Sequence, residues 1–525
     1  MTYCGTYSIL NILLVKNTSA SFKVTPEIRI AELERQLHWA NLKIEVLEER
    51  LRKRRIAMFG PHSENLSNLQ LQLLELEPSV SQQEVEAEAS REPLAPKPTR
   101  SRKPHPGRQK LPDHLKRVVE EIVCPPHACQ CVGCGKQMPV IGHDESEQLD
   151  VEPAHYYVKV TKREKRACRS CTQATVVSAP LAPRIIEKGL VSDRIVIGAI
   201  VGKYCDHLPL YRQSVILERE AGLEISRATM DGWVMQVGQL LLPVAEAMRI
   251  DLLKGSYLQA DETTVPVQMH DKRGSNHQAY LWQYGKPGGE TVFDFRMGRD
   301  RKGPKHFLGE WEGVLQTDGY KAYDKTGGPK LVQVACWTHA RRKFVEAVKL
   351  NPQDAEATKM VIRMDALFVI DEQARKKGMT ADERGGLRRQ ESVAWVEEIH
   401  ATCLELAGRV LPASALGQAV NYALNLWSKL RRILDYPEVE LSTNLAENSF
   451  RPVAVGRKNW LHIGSVEAGP KVAAILSALE SCRRLKIPVK EYLIEILPGL
   501  ADRKLRDVGN LTPAKWAADR LSSCG

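Results

Sequence analysis

The sequence predicts a multidomain α/β protein: one mixed β-sheet interrupted by an all-α insertion, preceded by a coiled coil, a cysteine-rich module and a helical region. Three observations lead there. SYLQADETTVPVQM, QAYLWQYG and ETVFDFRMG are rich in β-branched and aromatic residues, and short apolar strands alternating with helices follow them, which indicates one mixed sheet. Residues 345 to 440 are helical in pattern throughout, and so long a structureless loop does not fit inside a compact domain. A chain of 525 residues, 43% of them hydrophobic, is too long for one core, so about three or four folded units with linkers are expected.

Residues 1–27 show no periodicity and are expected to form an irregular extension. Their SILNILLV run is too short to span a bilayer and has no basic region before it, so neither a membrane anchor nor secretion is expected. Over 28–60, Ile30, Leu33, Leu37, Ala40, Ile44, Leu47 and Leu51 recur at steps of three and four, the seam of a coiled coil about three heptads long. Such a seam would pair protomers; an amphipathic helix packed on its own chain has the same spacing. Residues 61–117 read as a flexible linker, acidic from Glu64 to Glu92 and basic from Lys97 to Arg117. Its Pro-broken arm TRSRKPHPGRQK can neutralise phosphates without folding, as it can also remain a solvated tail.

The cysteine-rich module is placed at 118–182. Of twelve cysteines, Cys124, Cys129, Cys131, Cys134, Cys168 and Cys171 crowd into it, which a reducing compartment and a metal site explain better than disulfides do. Cys131-x2-Cys134 and Cys168-x2-Cys171 each offer two thiolates, and together they make a Cys4 site for one structural Zn²⁺. Cys124, His127 and Cys129 are alternatives to Cys131. Residues 183–252 are helical, and LYRQSVILEREAGLEISRATMDGWVMQVG reads as a helix, a turn at Gly222 and a second helix capped by Ser226. This helix-turn-helix spacing puts Arg227 and Thr229 where base or phosphate contacts fall, although helix pairs that touch no DNA share it. The net charge of +11 favours a polyanionic partner without singling out nucleic acid.

The sheet is expected to come from residues 253–345 and 441–485, around the helical insertion 346–440, with a terminal element at 486–525. Asp261 ends the apolar run YLQAD and Asp318 ends VLQTD, and both are expected at strand ends, where carboxyl termini of neighbouring strands converge on one edge. Two carboxylates there repel unless cations lie between them, and hard Mg²⁺ takes oxygen ligands while leaving positions for phosphate and water. Glu447, in a helix opened by Ser442, Thr443 and Asn444, is the candidate third carboxylate of a two-metal site for in-line attack at phosphorus. Taken singly, each acid also fits an ordinary ion pair or strand end. Glu262 should point to the opposite face from Asp261 and is left out of the set.

The surroundings of Glu447 are basic. Arg451, Arg457 and Lys458 are candidates to hold a DNA backbone, and Asn459 and Trp460 to position a strand or base. Arg341, Arg342 and Lys343 open a helix after CWTH and are read as phosphate contacts or a solvated face. Cys336 and His339 have metal-ligating side chains but too few partners for a second zinc site.

DETTVPV, TDGYKAY, CWTHARRKF and NLAENSFRPVAVGRKNWLHIGS, in that order, resemble the signature blocks of the insertion sequence 66 family of DDE transposases, as do SEQLDVEPAHYYVKVTKREKRACRSC and KYCDHLPLYRQ upstream. The likeness runs from about residue 28 to the C-terminus, where LTPAKW is similar to the family's last element. It implies a ribonuclease H-like catalytic domain with Asp261, Asp318 and Glu447 as its acidic triad, two Mg²⁺ (or Mn²⁺) per site and one structural Zn²⁺. The implied partners are the element's terminal inverted repeats, target DNA, a second protomer held by the leucine-zipper segment, and accessory proteins of the same element. The implied setting is the bacterial cytoplasm, at the nucleoid. The first 25 residues match no family block, and PPHACQCVGC carries extra cysteines. Two other readings use the same residues: a nuclease or resolvase that cuts without joining, and a zinc-containing DNA-binding regulator that needs no triad.

Overall fold

The computed structural model describes residues 155–166, 177–187, 189–269 and 275–523, with the single positions Ile30, Leu33, Glu34, Leu37, Ile44 and Arg117. The expected zinc ligands Cys131, Cys134, Cys168 and Cys171, the linker apart from Arg117, and most of the coiled coil lie outside the described residues. The chain divides into two units.

In the smaller unit a two-residue ladder pairs β1 (Lys165–Arg166) antiparallel with β2 (Val177–Ser178). A helix follows over Leu210–Ala221, and Gly222 turns the chain at φ +64°, a left-handed conformation that glycine adopts without a Cβ clash. Ser226 then accepts from the Thr229 backbone N–H at 3.1 Å, capping the helix that starts at Arg227. Arg227 and Thr229 are both exposed on its first turn.

The larger unit holds a five-stranded mixed sheet in the order β5-β4-β3-β6-β7. Strands β3 (Tyr257–Val267), β4 (His277–Gly285) and β5 (Thr291–Arg296) form an antiparallel meander; β6 (Val314–Thr317) and β7 (Val332–Ala335) add in parallel on the other side of β3. Asp261 therefore does not end a strand. β3 continues to Val267 because β4 pairs with it as far as Val267↔His277; the strand that stops is its parallel neighbour β6, at Thr317. Pro266 is tolerated here because its carbonyl points away from β4 and accepts from Ile463 N at 2.9 Å, so the ladder to β4 needs no donor at that position.

β5 is an edge strand, and the helix Ala468–Arg484 covers it. Ser477 and Ser481, four apart on one helical face, accept from Phe293 N at 2.8 Å and Thr291 N at 2.9 Å, and Ser481 donates to Thr291 O at 3.0 Å. The outward backbone groups of the edge are thus paired rather than left open. Gly469 permits the approach, since a Cβ there would lie 2.2 Å from the Phe295 ring.

Between β7 and the second part of the sheet unit comes the helical insertion, including helices Trp337–Leu350, Ala355–Lys376, Val393–Ala407 and Ala415–Asn425. They pack Trp337, Phe344, Met360, Met364, Val396, Ile399 and Val420 into one core with Val334 of the sheet. Arg388 sits in this interior at 1% exposure, bonded through two nitrogens to Asp371 at 2.7 and 2.6 Å. Removing one member strands a buried charge, so Asp371→Ala is expected to lower stability by about 3–5 kcal/mol. Urea unfolding of the full chain measures this; the double change Arg388→Met, Asp371→Leu should lose much less.

Candidate active site

Asp261 and Asp318 are brought together by strand register. Gln259 of β3 lies opposite Gln316 of β6; Asp261 follows Gln259 by two residues on the same face of β3, and Asp318 follows Gln316 by two, one residue past the end of β6. The glutamines place the third acid. Gln259 Nε2 donates to Ser442 O at 2.9 Å and Gln316 Nε2 to Glu440 O at 2.6 Å, fixing the segment that leads into the helix Asn444–Ser449. The Tyr257 hydroxyl completes the clamp, donating to Gln316 Oε1 at 2.5 Å and accepting from Glu440 N at 3.2 Å. Further anchors are Trp337 N to Leu441 O at 2.9 Å and Thr443 N to Cys336 Sγ at 3.3 Å. Glu447 is thereby delivered to the two aspartates from across the helical insertion.

The turn after Asp318 is held from the insertion side. Asp318 Oδ1 accepts from Tyr320 N at 2.7 Å, and its carbonyl accepts from the Tyr422 hydroxyl at 2.6 Å. Gly319 has φ +92°, and a Cβ on it would meet Leu426 at 2.5 Å, so this position requires glycine twice over.

Electrostatics record the convergence. The Asp261 carboxyl is pushed well above the usual carboxylate range, first by burial and then by the charges of Glu447, Glu262 and Asp318. Glu262 takes the other side of β3: Arg299 donates to it at 2.6 and 2.9 Å and the Tyr323 hydroxyl at 2.8 Å.

Glu447 meets two side chains of the helix that starts at Trp337. Its Oε2 lies 3.5 Å from Arg342 Nη2, and its Oε1 lies 3.3 Å from His339 Nε2 with no hydrogen bond formed. Burial would push the His339 imidazole down, but the Cys336 thiol beside it and the Glu447 charge outweigh that and raise it to about 9. Cys336 and His339 thus belong to the support of Glu447, a role that sequence reasoning missed. The available signal was the three-residue step from His339 to Arg342, which puts both on one helical face.

The other expected contacts are distributed differently. Arg341 pairs with Asp365, and Lys343 lies 3.4 Å from Glu346, so both turn along the helical region. Arg457 is drawn to β3, donating to Thr264 O at 2.7 Å. Arg451 is part-buried at the start of its helix, Lys458 is exposed, and Asn459 donates back to Val455 O at 3.2 Å. Trp460 packs edge-on to Tyr204, ring centroids 6.5 Å apart.

The donor set suits hard divalent cations. It is all oxygen, the charges on Asp261 are mutually repulsive, and Glu447 Oε1 is buried without a hydrogen-bond partner. Among the described residues no three His, Cys, Asp or Glu side chains gather closely enough to share one ion. Magnesium commonly takes one or two protein carboxylates and fills its other positions with water and phosphate, so pairs of these acids suffice. No helix among the described residues is long and apolar enough to cross a membrane.

Three family models match the chain: "Transposase IS66 family" over residues 188–471, "zinc-finger binding domain of transposase IS66" over 128–172, and "Transposase C of IS166 homeodomain" over 46–119. Similar proteins from Sinorhizobium fredii (strain NBRC 101917 / NGR234) include "Uncharacterized protein y4qI", 33% identical over 80% of this chain and 78% of its own length. "Uncharacterized protein y4hP" is 29% identical over 90% of this chain and 89% of its own, and "Uncharacterized protein y4jD" is 29% identical over 78% and 82%. The first model spans more than half of the chain and encloses Asp261, Asp318 and Glu447, and the second encloses both Cys-x2-Cys turns. The chain belongs to the IS66 family of transposases.

Proposed function

We propose that the protein binds the terminal inverted repeats of its mobile element and cuts and joins DNA strands at a site built from Asp261, Asp318 and Glu447 with two divalent ions, Mg²⁺ or Mn²⁺. The observation that supports this reading is that the charges of Glu447 and Asp318 both act on the buried Asp261 carboxyl while two glutamine clamps hold the segment leading to Glu447. The sheet supports a ribonuclease H-like fold: an antiparallel meander, two parallel strands added beside β3, and a returning helix that brings the last acid.

When bound, the ions would polarise the phosphate and lower the pKa of attacking water or hydroxyl. The three carboxylates would hold them, while His339 and Arg342 restrain Glu447. In the first reaction water adds at phosphorus and the 3′-oxygen of the element end leaves. In the second that 3′-hydroxyl adds to a target phosphodiester and a target 3′-oxygen leaves, so one bond forms and one breaks each time. In the accompanying domain plan, residues 28–60 pair protomers, 118–182 hold one Zn²⁺ through Cys131, Cys134, Cys168 and Cys171, and Arg227 and Thr229 meet the repeat. Arg341, Arg342, Lys343, Arg451, Arg457, Lys458, Asn459 and Trp460 would be the DNA contacts of the catalytic unit, Arg341, Arg457 and Asn459 on releasing Asp365, Thr264 O and Val455 O. The protein would act at the nucleoid, with accessory proteins of the element where they are required.

The test uses purified protein, duplexes carrying the repeats, a target plasmid and Mg²⁺. Joined products are expected. Cut ends that never join would indicate a nuclease or resolvase, and end binding without cutting, even after neighbouring gene products are added, would indicate a regulator.

The clamp gives a graded version. Gln259→Leu leaves Ser442 O without its donor and Gln316 Oε1 with the Tyr257 hydroxyl alone, at a cost of about 1–3 kcal/mol, and loosens the Glu447 segment. Misplacement of that order is expected to slow cleavage roughly 100-fold while end binding persists. Single-turnover cleavage beside an anisotropy titration separates the two quantities.

A further inference from the structure

The motif RKNWLHIGS is only partly used by the site described above, and a separate cavity of about 200 Å³ opens where it ends. Tyr204, Trp460, Lys203, Asp231, Met235 and His462 are among its lining residues. The loop beyond Trp460 is stitched to the far end of β3: Ile463 N donates to Pro266 O at 2.9 Å and Gln268 N to Ile463 O at 2.8 Å. Asp261 lies five residues back along the same strand, about 17 Å at the usual rise of a β-strand.

Two features show that this cavity is formed by the backbone and not left over from loose packing. Leu461 takes φ +65°, a conformation unfavourable for a non-glycine residue, immediately after Trp460. A Cβ on Gly456 would lie 2.4 Å from Trp460 Nε1, so the indole folds back over a position that only glycine can occupy. The indole N–H of Trp460 is buried there without a hydrogen-bond partner, beside a cavity whose walls combine Tyr204 and apolar side chains with Lys203, Asp231, His462 and Ser465.

The chemistry of the lining selects the ligand. Lys203 supplies a donor and Asp231 an acceptor, so the lining is mixed in charge. A phosphate would be attracted by Lys203 but repelled by Asp231, whereas a neutral heterocycle with both donors and acceptors on its edge satisfies both. Tyr204 and Trp460, edge-on to each other, add aromatic surface to the lining, and aromatic side chains are what bases stack on. The volume is below the roughly 300–1,000 Å³ of pockets that enclose a drug-sized ligand, so it takes a ring system but not an attached sugar and phosphate. A ring whose backbone must stay outside is a base still carried by its strand.

We infer that this cavity receives one unpaired base of the DNA, drawn out of the helix within about five nucleotide steps of the bond that is cut, at about 3.4 Å per step. The inference rests on the function proposed above and names a subsite beyond the acidic centre. Capture of the base would hold the strand in register along β3 and favour opening of the duplex at the element end.

The test is a coupling experiment on end duplexes, each with a single abasic position, scanned across the cleavage site. Wild type is compared with Trp460→Ala and with Gly464→Phe. Gly464 lines the cavity, its φ is outside the left-handed region, and a Cβ there meets nothing within 4 Å, so the second variant adds a bulky ring at the cavity wall without a clash at its Cβ. On intact DNA both variants should cleave about tenfold more slowly, the scale of one base–aromatic contact. At one abasic position, the same for both, the defect should shrink to about twofold or less, because the group that the cavity holds is already absent. Equal impairment at every abasic position, or no impairment on intact DNA, would overturn the inference. The two readings fail differently: wild-type cutting without coupling rejects the base pocket alone, whereas wild type that neither binds nor cuts the ends rejects the function and the pocket with it.

Discussion

Asp261→Asn is expected to abolish cutting and joining, by roughly three orders of magnitude or more, since a group that holds the reactive ions cannot be replaced by a weaker neutral ligand. The same substitution is expected to stabilise the metal-free protein at neutral pH. The Asp261 carboxyl is held well above its ordinary value by burial and by the charges of Glu447, Glu262 and Asp318. An acid whose folded pKa is raised binds its proton more tightly when folded, so stability is greatest below the ordinary carboxylate value and is lost as pH rises toward the folded pKa. Asparagine removes that loss. Thermal melts at pH 5 and pH 8 check the sign: the variant should gain on wild type at pH 8 and little at pH 5. Added Mn²⁺ should raise the melting temperature of wild type but not of Asp261→Asn. A variant less stable than wild type at pH 8 would show that Asp261 has a structural partner instead.

The second large effect concerns zinc. Cys168→Ser, or Cys171→Ser, should lower bound zinc from one ion per chain to none, because a Cys4 site with one thiolate replaced loses most of its closed tetrahedral shell. Structural zinc contributes on the order of 10–16 kcal/mol of binding free energy in small modules, more than such a module's own core supplies, so it should unfold outright. End binding should then fall toward the non-specific level, roughly 1,000-fold or more weaker. Metal analysis and anisotropy on the same preparations measure both quantities. Cys205→Ser, at an exposed free cysteine of the catalytic unit, should change neither. Cys124→Ser, Cys129→Ser and Cys131→Ser run side by side identify the first ligand pair.

Particular residues show how far the sequence could be read. The acids stand out because YLQAD and VLQTD place Asp261 and Asp318 after short apolar runs, and the register sets the glutamines two residues before them side by side. The glutamine within each run carries as much information. A polar residue two positions before an acid on a strand shares its face, and a buried one needs a partner, which here is the chain leading to Glu447. The strand end was misjudged at Asp261 because β3 is sustained by β4 while β6 stops, a matter of tertiary pairing that composition does not record. His339 was read as a metal ligand lacking partners; its actual neighbour Glu447 arrives from beyond the helical insertion, which local spacing cannot reveal. The serines at 477 and 481 show the four-residue step of one helical face, yet their task, closing the edge of β5, depends on which strand ends the sheet.

The central claim is that Asp261, Asp318 and Glu447 together hold two metal ions. Electron paramagnetic resonance of Mn²⁺ added to the complex of protein and end DNA tests it most directly. Two ions per site, about 3.5–4 Å apart, should give a spin-coupled spectrum that is lost in Asp261→Asn, Asp318→Asn and Glu447→Gln alike. A coupled signal that survives in Glu447→Gln, or wild type that binds only isolated Mn²⁺, would contradict the claim.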